Sequence, residues 1–240
     1  MIRALLLVTI GVAVTVFMSF YVVAFAFITP DENASHRLAK IWAGMLLALA
    51  STKVEIIGAE NILMKEPQIF MANHQSDIDI LIVLAHLPGQ FRWIVKKELF
   101  NIPLFGTAMR NAGYIEIDRQ NHIKAMMSID KAARKIKEGK SVMSFPEGTR
   151  SSDGKIKPFK QGMFHLAITS GVPIVPVSII GAREIMPKRS LRIKPGKVTM
   201  VIDKPIDVRG YSIENRQDLI DRVQNIITKN YEERQAAQSA

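Results

Sequence analysis

The chain has 240 residues, enough for one well-packed domain with an appendage, and nearly half of them are apolar. It contains no cysteine, which excludes disulfides, thiolate nucleophiles and cysteine-based zinc sites. The net charge of +10 lies almost wholly beyond residue 50: Arg3, Arg37 and Lys40 against Asp31 and Glu32 give +1 in the first fifth, leaving +9 for the rest. A basic globular part suits an anionic partner such as nucleic acid, an acidic protein, a phosphorylated substrate or an anionic lipid surface, although solubility alone accounts for charge of this size.

From Ala4 to Ile28 there is no charged residue. A helix of that length is more than long enough to cross a bilayer. A cleaved signal peptide is the rival reading, with Ala24-Phe25-Ala26 as a small-x-small site, but the apolar region is too long and Arg3 is the only basic residue before it. Thr29-Pro30-Asp31-Glu32-Asn33 breaks the helix. A shorter apolar segment from Leu38 to Ala50, with Arg37, Lys40 and Trp42 near its start, suits a helix lying at the membrane interface. Residues 1–50 therefore read as a membrane-anchoring helical hairpin and residues 51–240 as the globular domain. If the first helix spans, the basic residues beyond it outweigh Arg3 and place that domain in the cytoplasm.

In the globular part, strands are expected at 53–58, 68–72, 91–95, 113–117, 141–145, 172–180 and 197–202. The prolines of the sixth suggest an edge or an irregular start. Between them, 121–138 is helical by the spacing of apolar residues 123, 126, 127, 133 and 136, and a last helix runs from about 213 to 233. Strands alternating with helices predict an α/β fold, a mixed central sheet flanked by helices. Met126 and Met127 are expected in the core rather than in a ligand tunnel.

The chemistry is expected where Gln68–Ala72 gives way to Asn73-His74-Gln75-Ser76-Asp77-Ile78-Asp79. On one helix His74 and Asp79 would point about 140° apart. With His74 on the loop and Asp79 in the first helical turn, the carboxylate can reach one imidazole nitrogen, fix the tautomer and leave the other nitrogen to take a proton. The plain alternative is that Ser76 or Asp77 only caps the helix. A second constellation is Phe145-Pro146-Glu147-Gly148-Thr149-Arg150: glycine lets backbone N–H groups approach an anion, threonine adds a donor and Arg150 a planar fork. Arg119 and Lys96, each at the end of another strand, could converge on the same anion. His36, His86, His122 and His165 read as surface or packing positions. The basic run Lys188, Arg189, Arg192, Lys194, Lys197 reads as a solvated or membrane-facing surface, with docking of an acidic protein as the sharper alternative.

These blocks resemble the glycerolipid acyltransferase family. Asn73-His74 to Asp79 looks like its NHxxxxD block, 113–119 its second, 145–151 its third and Val172-Pro-Ile-Val-Pro176 its fourth. The length and two-helix leader are similar to bacterial 1-acylglycerol-3-phosphate acyltransferases. The resemblance implies that His74 is a general base on the 2-hydroxyl of lysophosphatidic acid, oriented by Asp79, and that the acyl donor is acyl-CoA or acyl carrier protein. It further implies that Arg119, Phe145, Glu147, Gly148, Thr149 and Arg150, with Lys96 in addition, hold the glycerol phosphate, Glu147 by bracing an arginine or the loop. No metal, further cofactor or nucleic acid is implied; membrane lipids are partners, and the setting is the bacterial inner membrane. Rival readings are a serine hydrolase using Ser76 or Ser144, against which stands the lack of a G-x-S-x-G elbow, a non-enzymatic lipid- or nucleic-acid-binding module, and the same chemistry on a different acceptor.

Overall fold

The computed structural model describes residues 2–118, 121–190 and 192–239. Two helices, α1 (Ile2–Ile28) and α2 (Glu32–Leu49), precede β1 (Thr52–Ile57), β2 (Ile69–Ala72), α3 (Ile78–His86) and β3 (Phe91–Lys96). Then follow α4 (Phe105–Asn111), β4 (Ile115–Ile117), α5 (His122–Lys137), β5 (Ser141–Ser144) and α6 (Gly162–Ser170). β6 (Ile174–Ile180), the short α7 (Ala182–Ile185), β7 (Gly196–Ile202) and α8 (Arg216–Ser239) complete the fold.

The seven strands form one sheet in the order β1-β7-β6-β2-β5-β3-β4. β6, β2, β5, β3 and β4 run parallel, while β7 is antiparallel to β6 and parallel to β1, so the sheet is mixed as expected. β2 is central, and its residues alternate between two cores. Phe70 and Ala72 join the cluster under α2 and α3, whereas Ile69 and Met71 join the one under α5, α6 and α8. All four are almost fully buried, which is why the run reads as apolar throughout.

Two expectations need correction. β6 is an interior strand despite Pro176. Its pairing with β7 begins only at Val177↔Ile202, and Asp203 N donates to Pro176 O at 3.0 Å. The missing N–H therefore falls at the irregular stretch between that ladder and the Ile174↔Ile206 bridge; the irregular start holds and the edge does not. Helix α5 turns Ile129, Ala132 and Ile136 inward and leaves Met126 and Met127 39% and 57% exposed, so this pair is not core. Apart from these corrections, one face of α2 packs on the domain, where Ala43 and Leu47 belong to the main core, while Ile41 and Met45 stay exposed.

The hairpin is fastened to the sheet by polar contacts as well. Fully buried Arg92 donates from Nη2 to Asn33 Oδ1 at 2.7 Å and faces Glu32, whose other oxygen meets Lys135 Nζ at 2.7 Å. Trp42 Nε1 donates to Thr15 Oγ1 at 3.1 Å, joining α2 to α1. Only 17% of the most apolar part of α1 is buried, and this helix is long and apolar enough to cross a membrane.

Candidate active site

The parallel strands β2 and β5 are neighbours, so the loops leaving their carboxyl ends lie side by side. The first carries Asn73 to Asp79. Asn73 is fully buried: its Nδ2 donates to Ile179 O at 2.9 Å and its Oδ1 accepts from Ile179 N at 2.7 Å, tying the end of β2 to β6. That anchoring sets where His74 leaves the sheet.

Asp79 lies in the first turn of α3, one residue after its start. Its Oδ2 accepts from Gln75 N at 2.6 Å and Ser76 N at 2.7 Å and stands 3.0 Å from His74 Nδ1. A carboxylate only accepts, so Nδ1 carries the hydrogen and Nε2 keeps its lone pair. The ring lies flat on Phe145, with centroids 4.0 Å apart and planes 8° apart. Asp79 is fully buried and the His74 side chain only 12% exposed, so the pair interacts with little solvent screening. Capping is part of this loop but not the whole of it, since Ser76 does cap α3 while Asp79 also reaches His74. Asp77 makes no cap hydrogen bond, and Ser76 Oγ donates to Met186 O at 2.6 Å while accepting from Ile78 N at 3.2 Å. The Ser76 hydrogen is thereby directed at Met186 O and not at His74, so the ring does not activate this hydroxyl as a nucleophile.

The second loop, from Phe145 to Ser151, is stitched to the first in both directions. His74 N donates to Glu147 Oε1 at 2.6 Å, and Ser151 N donates to His74 O at 2.9 Å. Glu147 Oε2 accepts from Lys157 N at 3.0 Å. Of the partners expected for Glu147, the loop backbone is one that the described residues show. Gly148 has φ +70°, open to glycine at little cost, and a Cβ there would press on Lys160 Cε at 2.9 Å.

Burial pushes the Glu147 carboxyl up to about 7, against the pull of the Lys157 and His74 backbone N–H groups. The folded value lies above the ordinary 4.5. Stability linked to this group is therefore complete below 4.5 and is lost as the pH rises through about 7. Glu147→Gln is expected to flatten the dependence of melting temperature on pH across that window. Equal slopes for variant and wild type would show that the carboxyl ionises as freely in the fold as outside it.

Arg150 forms an ion pair with Asp77 on the first loop. Its carbonyl accepts from Lys188 Nζ at 2.7 Å and Lys157 Nζ at 3.2 Å. Desolvation, then the charges of Lys157, Arg189 and Arg150, hold the Lys188 amine below its ordinary value. Lys188 thus stands at the site, not merely on a solvated basic surface. Thr149 is exposed on the same loop. Lys96 is at the end of β3, two strand spacings or about 10 Å across the sheet from β2; its half-exposed amine lies 3.5 Å from Glu98. Arg119 lies outside the described residues. Asn73, Asp77, Lys157 and Lys160 were missed as contributors; only Asn73, beside His74, carried a signal in the sequence.

A His–Asp pair at a central strand end, with a cationic loop alongside, is an arrangement that can activate a hydroxyl beside an anion, and it sits in an α/β fold. The chain belongs to the Acyltransferase family, whose profile matches residues 53–180. It is 35% identical over 197 residues to a 1-acyl-sn-glycerol-3-phosphate acyltransferase of Haemophilus influenzae, covering 81% of each chain. It is 38% identical over 173 residues to the chloroplastic acyltransferase BAT2 of Brassica napus, covering 71% of this chain and 50% of that one. The chain thus spans about half the length of such chloroplast relatives. The crystal structure of the 1-acyl-sn-glycerophosphate (LPA) acyltransferase PlsC from Thermotoga maritima superposes with a TM-score of 0.83 at 30% identity, covering 98% of this chain and 95% of that one. The resemblance read from the four blocks is borne out.

Proposed function

We propose that the protein transfers a fatty acyl group from an acyl thioester, acyl-CoA or acyl carrier protein, to the 2-hydroxyl of 1-acylglycerol-3-phosphate, giving phosphatidic acid. The observation that carries this reading is the 3.0 Å contact of His74 Nδ1 with buried Asp79, set against a loop that gathers Arg150, Lys157 and Lys188. His74 Nε2 takes the hydroxyl proton as the oxygen attacks the thioester carbonyl. The tetrahedral intermediate expels the thiolate, and the imidazolium returns the proton to sulfur. The C–O bond forms, the C–S bond breaks, and Asp79 stabilises the imidazolium in between. The acceptor's own hydroxyl is the nucleophile, so no acyl-enzyme is required.

Arg150 holds the acceptor phosphate through its fork, with Gly148 and Thr149 on the same loop and Arg119 and Lys96 from neighbouring strand ends. Phe145 supports the His74 ring. The crowding of like charges around Lys188 supports an anion here, since a phosphate would relieve it. Residues 1–50 anchor the chain in a bacterial inner membrane, and residues 51–240 carry out the chemistry on the cytoplasmic side.

The test is transfer from labelled acyl-CoA and acyl carrier protein to lysophosphatidate by purified protein, wild type beside Arg150→Ala and Arg150→Lys. Wild type is expected to form phosphatidate. Arg150→Ala should raise KM for lysophosphatidate at least tenfold, by loss of a charge-assisted contact of about 1.5–3 kcal/mol, with donor KM little changed. Arg150→Lys should recover only part, because the fork is lost while the charge stays. No phosphatidate with either donor would sink the reading, and equal effects on both substrates would make Arg150 structural.

A further inference from the structure

Helix α5 has an apolar tip that the fold leaves uncovered. Ile123, Met126 and Met127 are 73%, 39% and 57% exposed, whereas Ile129, Ala132 and Ile136 on the other face are buried. At 100° per residue the three exposed side chains fall within about 100° of arc, opposite the buried stripe. Further along the helix the residues become cationic: α5 carries Lys124, Lys131, Arg134, Lys135 and Lys137 against the single acid Asp130. An uncovered cluster of large apolar residues backed by cations is unusual for a helix facing water.

Its place in the fold identifies what it meets. α5 begins just beyond the carboxyl end of β4, the same end of the sheet as His74. β4 pairs with β3, and Lys97 Nζ meets Asp118 Oδ2 at 2.6 Å where the two strands finish. The connection after β3 exposes two more apolar residues, Ile102 at 45% and Leu104 at 39%. These two line an apolar cavity of about 420 Å³ together with Val8, Val12 and Val16 of α1. α1, which leaves Phe17 and Phe20 64% and 61% exposed, packs on α2 and α4, while α5 covers the opposite sheet face. Exposed apolar surface thus extends from α1 to Ile102 and Leu104 after β3, at the end of the sheet where α5 also begins.

We infer that the first two turns of α5 are a second membrane contact, seated in the interface of an anionic leaflet. Ile123, Met126 and Met127 enter about 5–10 Å, to the boundary of headgroups and acyl chains. Lys124 and Lys131 sit at headgroup level, where anionic lipid attracts them. Gripped by α1 on one sheet face and α5 on the other, the domain turns the carboxyl ends of its strands, and His74 with them, toward the bilayer. The inference rests on the attachment through α1 proposed above.

The natural absence of cysteine makes the test direct. Single-cysteine variants Phe17→Cys, Met127→Cys and Glu232→Cys of the full chain carry an environment-sensitive fluorophore. They are reconstituted in vesicles of phosphatidylethanolamine and phosphatidylglycerol containing lipids brominated on the acyl chain. The label at 127 is expected to be quenched several-fold more than that at exposed 232, and to follow the label at 17. Quenching at 17 with none at 127 overturns the second contact while leaving attachment intact. Shelter of 127 from aqueous iodide without bromine quenching overturns it too, and assigns the patch to a second copy of this chain. The pair Ile123→Glu with Met127→Glu should lower transfer to vesicle-borne acceptor several-fold and leave transfer to a monomeric short-chain acceptor unchanged. Equal loss on both acceptors overturns the inference.

Discussion

His74→Ala is expected to lower kcat by about 10²–10⁴-fold, the range for loss of a general base, while lysophosphatidate binds within a few-fold of wild type. The substitution should leave the fold in place. The ring contributes one hydrogen bond and its stack on Phe145, the latter worth about 0.5–1.5 kcal/mol. Its removal leaves Asp79 Oδ2 with the N–H groups of Gln75 and Ser76, so no carboxylate is stranded. The backbone of residue 74 keeps its bonds to Glu147 and Ser151, which hold the two loops together whatever the side chain. Single-turnover rates, acceptor affinity and melting temperature on the same preparation separate these effects. A variant within tenfold of wild type in kcat would show that His74 is not the base. A loss of acceptor binding equal to the loss of rate would place the imidazole in the binding site instead.

How much of this was legible in the sequence follows from how far apart in the chain the partners are. His74 and Asp79 meet inside one loop and one helical turn, so five residues of local geometry suffice to predict the contact. β2 reads correctly because both of its faces are buried. Glu147 is different: its partner His74 is 73 residues away, and the contact exists only because β5 pairs with β2, a strand order no local pattern encodes. Lys188 reaches Arg150 across 38 residues for the same reason. In α5 the apolar positions 123, 126, 127, 133 and 136 fit a helix, but so do 129, 132 and 136. Periodicity identifies the element without choosing between its two apolar stripes, and packing against α6 and β5 makes the choice. Pro176 misled because an interior strand also tolerates proline where its pairing is irregular, here between the β7 ladder and the Ile174↔Ile206 bridge.

Asp79→Asn is expected to cost less than loss of the base, about 10²-fold in kcat, and the reason is local. In a Ser-His-Asp triad the same change costs about 10⁴-fold, because the amide inverts the histidine tautomer. Here the Oδ2 position faces three donors at once: Gln75 N, Ser76 N and the Nδ1 hydrogen of His74. An amide NH₂ turned to that position would oppose two fixed backbone N–H groups, so the asparagine oxygen occupies it instead. The tautomer then survives, and what disappears is the negative charge that stabilises the imidazolium 3.0 Å away. Asp79→Ala removes the acceptor altogether, leaves two buried N–H groups unpaired at about 1–3 kcal/mol each, and should lower both stability and rate. Thermal melts and kcat for the two variants decide the point: asparagine, whose NH₂ takes the buried, unpartnered Oδ1 position, falls between wild type and alanine in melting temperature and is slow, and alanine is low in both. Should Asp79→Asn fall as far as His74→Ala, the amide will have rotated its NH₂ toward the ring despite the two backbone donors, and the three-donor account of this loop would be wrong.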